Sequence, residues 1–315
     1  MRARLVYNAE ALIALYKGWI RPLIEYGSAI YCSFSKENAQ KLERVQSSCL
    51  RTILGARKNT PAEIINNESS VSSLSSRRQQ AVIRLYYKIL AMVETHPLQE
   101  LLAQWWNEHK SQEPHFSSEK SFLAISHETH ETVLHTHAPS RIKGGINPAP
   151  IAPWSHFFLP RSFFDIHREL RTKIREQVRQ AQMRRIFTRS ATAVYSHWHP
   201  SLRRPWLKCL PKGGKKLRIM IRLRSGYADI GPFARFGRCF PCPDCGGQDS
   251  VVHIFRDCPT HEQARTKLYR AAFHISGEPI TLEVLLGFSQ RLSSQKLRDI
   301  TNLTAGFIID LKRTL

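Results

Sequence analysis

The chain has 315 residues, 42% of them hydrophobic and 23% charged. This is enough to bury a core, and it excludes collagen-like, wholly disordered and coiled-coil classes. Lys and Arg number 47 against 25 Asp and Glu, a net charge of +22 that points to a polyanionic partner, either nucleic acid or an anionic membrane surface. The longest uncharged run, 144–160, contains Pro148, Pro150, Pro153 and Pro160, which argues against a membrane span. Arg2 and Arg4 precede an apolar stretch that Asn8 and Glu10 interrupt, which is not a signal-peptide pattern. Seven cysteines suit a reduced intracellular compartment, nucleus and/or cytoplasm, with thiols used for metal rather than disulfides.

The elements follow in chain order. Residues 8–31 read as a helix with Asn8 as N-cap and Glu10 in the first turn. Leu12, Leu15, Tyr16, Trp19, Ile20, Leu23 and Ile24 keep helical spacing, and Pro22 predicts a kink near Gly18. A second helix spans 35–55, capped by Ser35 and ended by Gly55, with Lys41, Arg44 and Arg51 on its exposed side, then Arg57 and Lys58. Helices over 74–92 and 97–106 complete a bundle of residues 1–106. Residues 107–163 lose periodicity, turn rich in Ser, His, Glu, Pro and Gly, and read as a disordered linker. His127, His130, His135 and His137 lie in it without a cysteine, as in a solvated linker. Residues 164–315 form the last part, with helices over 164–188, 215–225, 260–275, 280–289 and 292–314. The expected class is mainly α: a helical bundle, a linker, and a basic helical region with a small zinc knuckle.

The charge is concentrated. Residues 171–240 hold eighteen Lys and Arg and two acids, Glu176 and Asp229, interleaved with Tyr195, Trp198, Trp206, Tyr227, Phe233 and Phe236. Such a block is often ordinary solvated surface. Arginines among aromatics are also the mixture that holds phosphates and stacks on bases. The candidate phosphate contacts are Arg171, Arg175, Arg179, Arg184, Arg185, Arg203, Arg204, Lys215, Lys216, Arg218, Arg222 and Arg224, joined by Lys41, Arg44 and Arg51 in the first part. Trp198 and Trp206 are the candidate stacking residues.

The sharpest motif is Cys242, Cys245, His253 and Cys258, spaced C-x2-C-x7-H-x4-C. Two cysteines three apart can wrap a cation through a tight turn, and Gly246 and Gly247 allow the reversal. Three thiolates and an imidazole make a closed zinc set, so one structural Zn2+ is expected. Cys239 competes as a ligand, and His261 could replace His253 less easily. Gly-x-Ser-x-Gly, His-Glu-x-x-His and phosphate-loop motifs are missing.

Two stretches resemble the Jockey-like non-LTR retrotransposon reverse transcriptases. Leu15-Tyr16-Lys17 with Ile20-Arg21-Pro22-Leu23-Ile24-Glu25-Tyr26-Gly27, then Lys41-Leu42-Glu43-Arg44-Val45-Gln46 and Leu50-Arg51-Thr52-Ile53-Leu54-Gly55-Ala56, are similar to the segment after the polymerase palm. Arg222-Leu223-Arg224-Ser225-Gly226-Tyr227, the Cys/His knuckle and Asp257-Cys258-Pro259 are similar to the family's C-terminal zinc segment, although Ser225 and Tyr227 stand where it usually has Thr and His. The resemblance covers about 8–106 and 164–290 and implies a thumb-like bundle and an RNA- and/or DNA-binding tail. Polymerase chemistry needs clustered carboxylates on two metal ions. This chain has no Asp-Asp pair and no Asp before Asp165, and no ribonuclease H carboxylate set stands between the two matches. The expectation is therefore a non-catalytic, nucleic-acid-binding fragment with no membrane partner. The alternatives are a polymerase label inherited from the full-length element and a relic without function.

Overall fold

The computed structural model describes residues 8–30, 35–90, 96–101, 183–192, 195–196, 206–228 and 241–312, with isolated positions at 104, 172, 176, 179 and 180. The described residues are mainly α-helical, and the only β pairing among them is an isolated antiparallel bridge between Pro241 and Gln248. None of their helices is long and apolar enough to cross a membrane. The expected linker at 107–163 lies outside the described residues.

The first helix, α1 (Ala9–Leu15), is capped as expected: the Asn8 side chain accepts from the Glu10 N–H at 2.9 Å. A π-helical turn, Tyr16–Ile20, joins it to α2 (Arg21–Glu25). Pro22 offers no N–H, and its ring crowds the carbonyl four residues back, Gly18. Widening the turn absorbs that conflict, so the expected kink takes the form of a π-bulge. The helix ends six residues short of the expected 31, just before Gly27 at φ +65°. Ala9, Ile13 and Tyr16 face the core, while Leu15, Trp19 and Leu23 stay exposed. The widened turn accounts for part of this, because it shifts the phase of every later side chain.

The second helix matches its expected span as α3 (Lys36–Leu54), with Ser35 Oγ accepting from the Asn38 N–H at 3.3 Å. A short helix not anticipated from sequence follows, α4 (Ala62–Ser69), introduced by Pro61 and closed by left-handed Ser70. The third expected helix is α5 (Leu74–Leu90). Residues 97–101 and 104, and the described residues of 172–188, are helical where helices were expected. Then come α6 (Gly214–Ser225), α7 (Glu262–Ser276), α8 (Leu282–Leu285) and α9 (Ser294–Asp310). The last two have side-chain N-caps, Thr281 and Ser293, each replacing water on an orphan N–H.

Contacts group the chain into two compact units: residues 1–22, 44–72 and 181–315 in one, and 23–43 with 73–180 in the other. This grouping interleaves along the chain, whereas the sequence reading divides it into consecutive stretches at 106 and 163. In the first unit α6, α7 and α8 pack on α9. Their core includes Leu217, Met220, Ile221, Leu268, Leu285, Leu297, Ile300 and Ile308. Segments far apart in sequence meet there. The Ala9 N–H donates to the Lys212 carbonyl at 2.7 Å, and Arg298 reaches Glu10 at 2.8 Å. Burial of apolar surface supplies the driving force, at roughly 25 cal/mol per Å2. In the second unit Arg77 holds Glu25 through two parallel bonds of 2.7 Å, and Glu43 accepts from the Ser75 N–H at the start of α5. The carboxylate of Glu25 raises the Arg77 pKa, through its hydrogen bond above all.

One buried polar network crosses the first unit. Arg224 and Glu68 are both 0% exposed. Arg224 Nε and Nη2 meet the two Glu68 oxygens at 3.0 and 2.9 Å, and Nη1 donates to the Leu286 carbonyl at 2.5 Å. The guanidinium lies 3.9 Å from the Phe288 ring centroid and 5.3 Å from that of Trp206. The Tyr195 hydroxyl donates to Glu68 Oε1 at 2.7 Å and accepts from Asn67 Nδ2. A buried charge persists only when its partners are this complete.

Burial, foremost, and the neighbouring Glu68 raise the Tyr195 pKa well above 10.0. A raised folded pKa gives stability that is full below the unfolded value and is lost as pH climbs from about 10 toward the folded value. Urea denaturation at pH 9 and pH 11 should therefore show a larger loss for the native chain than for Tyr195→Phe. Equal losses would mean that this phenol does not control alkaline unfolding.

Candidate metal centre and basic surface

The metal motif folds as its spacing suggests. Cys242 and Cys245 sit on a tight reversal in which the Gly246 N–H donates to the Cys242 carbonyl at 2.8 Å and the Cys242 N–H to the Gly247 carbonyl at 2.5 Å. Gly246 has φ +76°, a left-handed conformation that disfavours a side chain. At Gly247 a Cβ would come within 3.2 Å of the His253 ring and 3.4 Å of Cys245 Sγ. The second pair of ligands is set by a π-helical turn, His253–Asp257, closed by a Cys258 N–H bond to the His253 carbonyl at 2.8 Å. That bond spans five residues, which is the separation of His253 from Cys258. The Ser250 hydroxyl accepts from the His253 N–H at 2.9 Å and fixes the start of the turn.

The four ligand atoms lie within 4.8 Å of one another, so Cys242, Cys245, His253 and Cys258 can hold one metal ion. Cys242 Sγ is 4.0 Å from Cys258 Sγ, and Cys245 Sγ is 3.2 Å from His253 Nε2. With metal–sulfur bonds of about 2.3 Å, a tetrahedron has sulfur–sulfur edges of about 3.8 Å, so the donors fit such an ion. Burial pushes the Cys242 thiol up, but the backbone N–H groups of Asp244 and Cys245, helped by His253, more than offset it and bring the pKa down to about 7. Burial, followed by the adjacent Cys245, pushes Cys258 up. An arriving cation thus meets one thiol already inclined to ionise.

His261, the weaker candidate ligand, is occupied elsewhere: its Nε2 is 3.0 Å from Asp244 Oδ2. Thr260 Oγ1 donates to the Asp244 carbonyl at 3.1 Å, and Arg265 Nη1 to the Cys258 carbonyl at 2.8 Å. These bonds tie the ligand loop to the start of α7. Cys239 lies outside the described residues.

The basic candidates divide into several groups. Lys215, Lys216 and Arg218 are exposed on α6, opposite its buried Leu217, Ile219, Met220, Ile221 and Leu223. Arg222, on the same helix, is half-buried and donates to the Gly55 carbonyl at 3.3 Å. Burial and the neighbouring charges of Arg57 and Arg218 lower its pKa to about 10. The fold thus gathers Arg57, Arg218 and Arg222 into one like-charged cluster. Arg184 and Arg185 are exposed. Arg179 pairs with Glu176 at 2.6 Å, and exposed Lys41 with Glu37 at 3.0 Å; Arg44 is also exposed. Arg171, Arg175, Trp198, Arg203 and Arg204 lie outside the described residues.

Two candidates, Arg224 and Trp206, need correction, and a third, Arg51, is partly engaged. Arg224 is fully buried on Glu68 and cannot reach a phosphate. Trp206 is buried edge-on against Phe288, ring centroids 5.9 Å apart, and presents no face to a base. Arg51 is half-buried and spends Nε and Nη2 on the Thr60 carbonyl, at 3.1 and 2.7 Å, bracing the turn after α3. In Arg224 and Trp206 a charge and a ring counted as surface serve the interior. Arg224 stands seven residues after Leu217 and three after Ile221, on the helix's apolar stripe, and Trp206 opens an apolar run with Leu207, Cys209 and Leu210. Those patterns are the sequence signals for burial.

The fold and site together define a mainly α-helical chain with a three-cysteine, one-histidine cluster able to hold a metal ion. No family model, curated protein or solved structure matches it.

Proposed function

We propose that the chain is a non-catalytic nucleic-acid-binding protein with one structural zinc, resembling the tail of a non-LTR retrotransposon reverse transcriptase. The observation that carries this reading is the exposed basic face of α6, Lys215, Lys216 and Arg218. Like charges brought together on one helix face repel one another. A phosphate backbone relieves that repulsion and releases counterions from the nucleic acid. Three thiolates and an imidazole favour zinc over hard cations, and four protein ligands leave no position for a reactive water, so the ion acts on folding.

The test is a fluorescence-anisotropy titration with a short RNA and a single-stranded DNA at several salt concentrations. The logarithm of the affinity should fall linearly with the logarithm of salt, by about 0.7 per phosphate contacted. Replacing Lys215, Lys216 and Arg218 by Gln should lower that slope by about two. A flat salt response in the native chain would sink the proposal.

A further inference from the structure

A second feature of the same unit lies beside the metal loop. A cleft of about 610 Å3 opens between the His253–Asp257 turn and α7. Thr266, Tyr269, Arg270 and Phe273 line it from one face of α7, at helical spacing, with Arg265 beside them. Phe255, Arg256 and Ile280 form the other wall. The cleft has the size usual for a small-ligand site.

Its chemistry is specific. Three guanidinium groups line it and no carboxylate does. Among the described residues, no ion pair neutralises Arg256, Arg265 or Arg270; Asp257 is near enough to act electrostatically on Tyr269. Arg256 and Arg270 are exposed at the mouth, and Arg265 is half-buried. Phe255 is 0% exposed at the floor, where the Tyr269 hydroxyl donates to its carbonyl at 3.1 Å. Phe273 is 51% exposed, so its ring is accessible beside the three arginines of the cleft. Aromatic rings beside arginines form the surface that stacks an unpaired base and holds its phosphate.

We propose that this cleft is a nucleotide site for single-stranded nucleic acid, with a base stacked on Phe273 and its phosphate held by Arg256, Arg265 and Arg270. The inference rests on the nucleic-acid-binding reading and adds a site that distinguishes single strands from duplex, in which bases are already stacked. The metal loop organises it directly: Arg265 holds the carbonyl of Cys258, and the turn between His253 and Cys258 supplies Phe255 and Arg256.

The test uses the full, zinc-loaded chain and a fluorescein-labelled decathymidylate at low salt. Phe273→Ala should weaken binding about tenfold, with duplex binding unchanged and metal content at the native level. A strand carrying one central abasic site should bind the native chain more weakly, and Phe273→Ala should lose little further on it. If Phe273→Ala and the double variant Arg256→Gln with Arg270→Gln both bind normally while the Lys215, Lys216 and Arg218 variant does not, the cleft is not a nucleotide site and the proposed function stands. If the native chain binds no strand at low salt, both fall. An equal, Phe273-dependent affinity for poly-L-glutamate would assign the cleft to an acidic peptide and overturn the inference.

Discussion

Glu68→Ala is expected to lower the unfolding free energy by about 3–5 kcal/mol. Against a total of about 5–15 kcal/mol for a typical domain, that is a large share of the stability. The cost comes from what stays behind. Arg224 keeps the Leu286 carbonyl and the Phe288 ring but loses the carboxylate that balances its charge, and it is fully buried. The Tyr195 hydroxyl loses its acceptor in the same step. Urea denaturation followed by circular dichroism measures the change. The double variant Glu68→Leu with Arg224→Met removes both charges and should be more stable than Glu68→Ala. A Glu68→Ala cost below about 1 kcal/mol would mean that water reaches the guanidinium and the pair is not sealed.

Loss of the proposed zinc should have the next largest effect. An ion that binds only the folded chain adds RT ln(1 + [L]/Kd), about 4 kcal/mol at a thousand times Kd. Cys245→Ser and Cys258→Ser are each expected to abolish stoichiometric zinc and to lower the melting temperature to that of the chelator-treated native chain. Cys49→Ser should keep its metal, because Cys49 is packed at the edge of the core away from the four-ligand group. Elemental analysis and calorimetry on the same samples decide the matter. Metal loss in all three variants would refute the ligand assignment.

The helices and the metal motif were legible in the sequence because both are written in local spacing. Asn8, Ser35 and Gly55 mark ends that the structure keeps, and C-x2-C-x7-H-x4-C closes within one loop and one turn. The misses have the opposite character. Helix α4 is eight residues long, with Asn66, Asn67, Glu68 and Ser69 reading as a polar surface or turn. For Asn67 and Glu68, only partners more than a hundred residues away make that polarity a buried one. Arg224 was misplaced for the same reason: its carboxylate lies 156 positions upstream. The cleft beside α7 was likewise invisible, since Arg256 and Arg270 lie outside the most basic stretch and gain meaning only when a turn and a helix face each other.

The span between Glu68 and Arg224 also bears on how the chain is made. A ribosome adding about 5–20 residues per second releases the carboxylate on the order of ten to thirty seconds before its guanidinium exists. During that wait the Glu68 carboxylate stays in water, because an ionised side chain buried alone would cost several kcal/mol, even though Ile64 and Ile65 on the same helix favour burial. Glu68, one of the polar residues that hide the helix from sequence, keeps its hydration on the nascent chain until then. Closure of the interior around Glu68 therefore waits for α6, which brings Arg224.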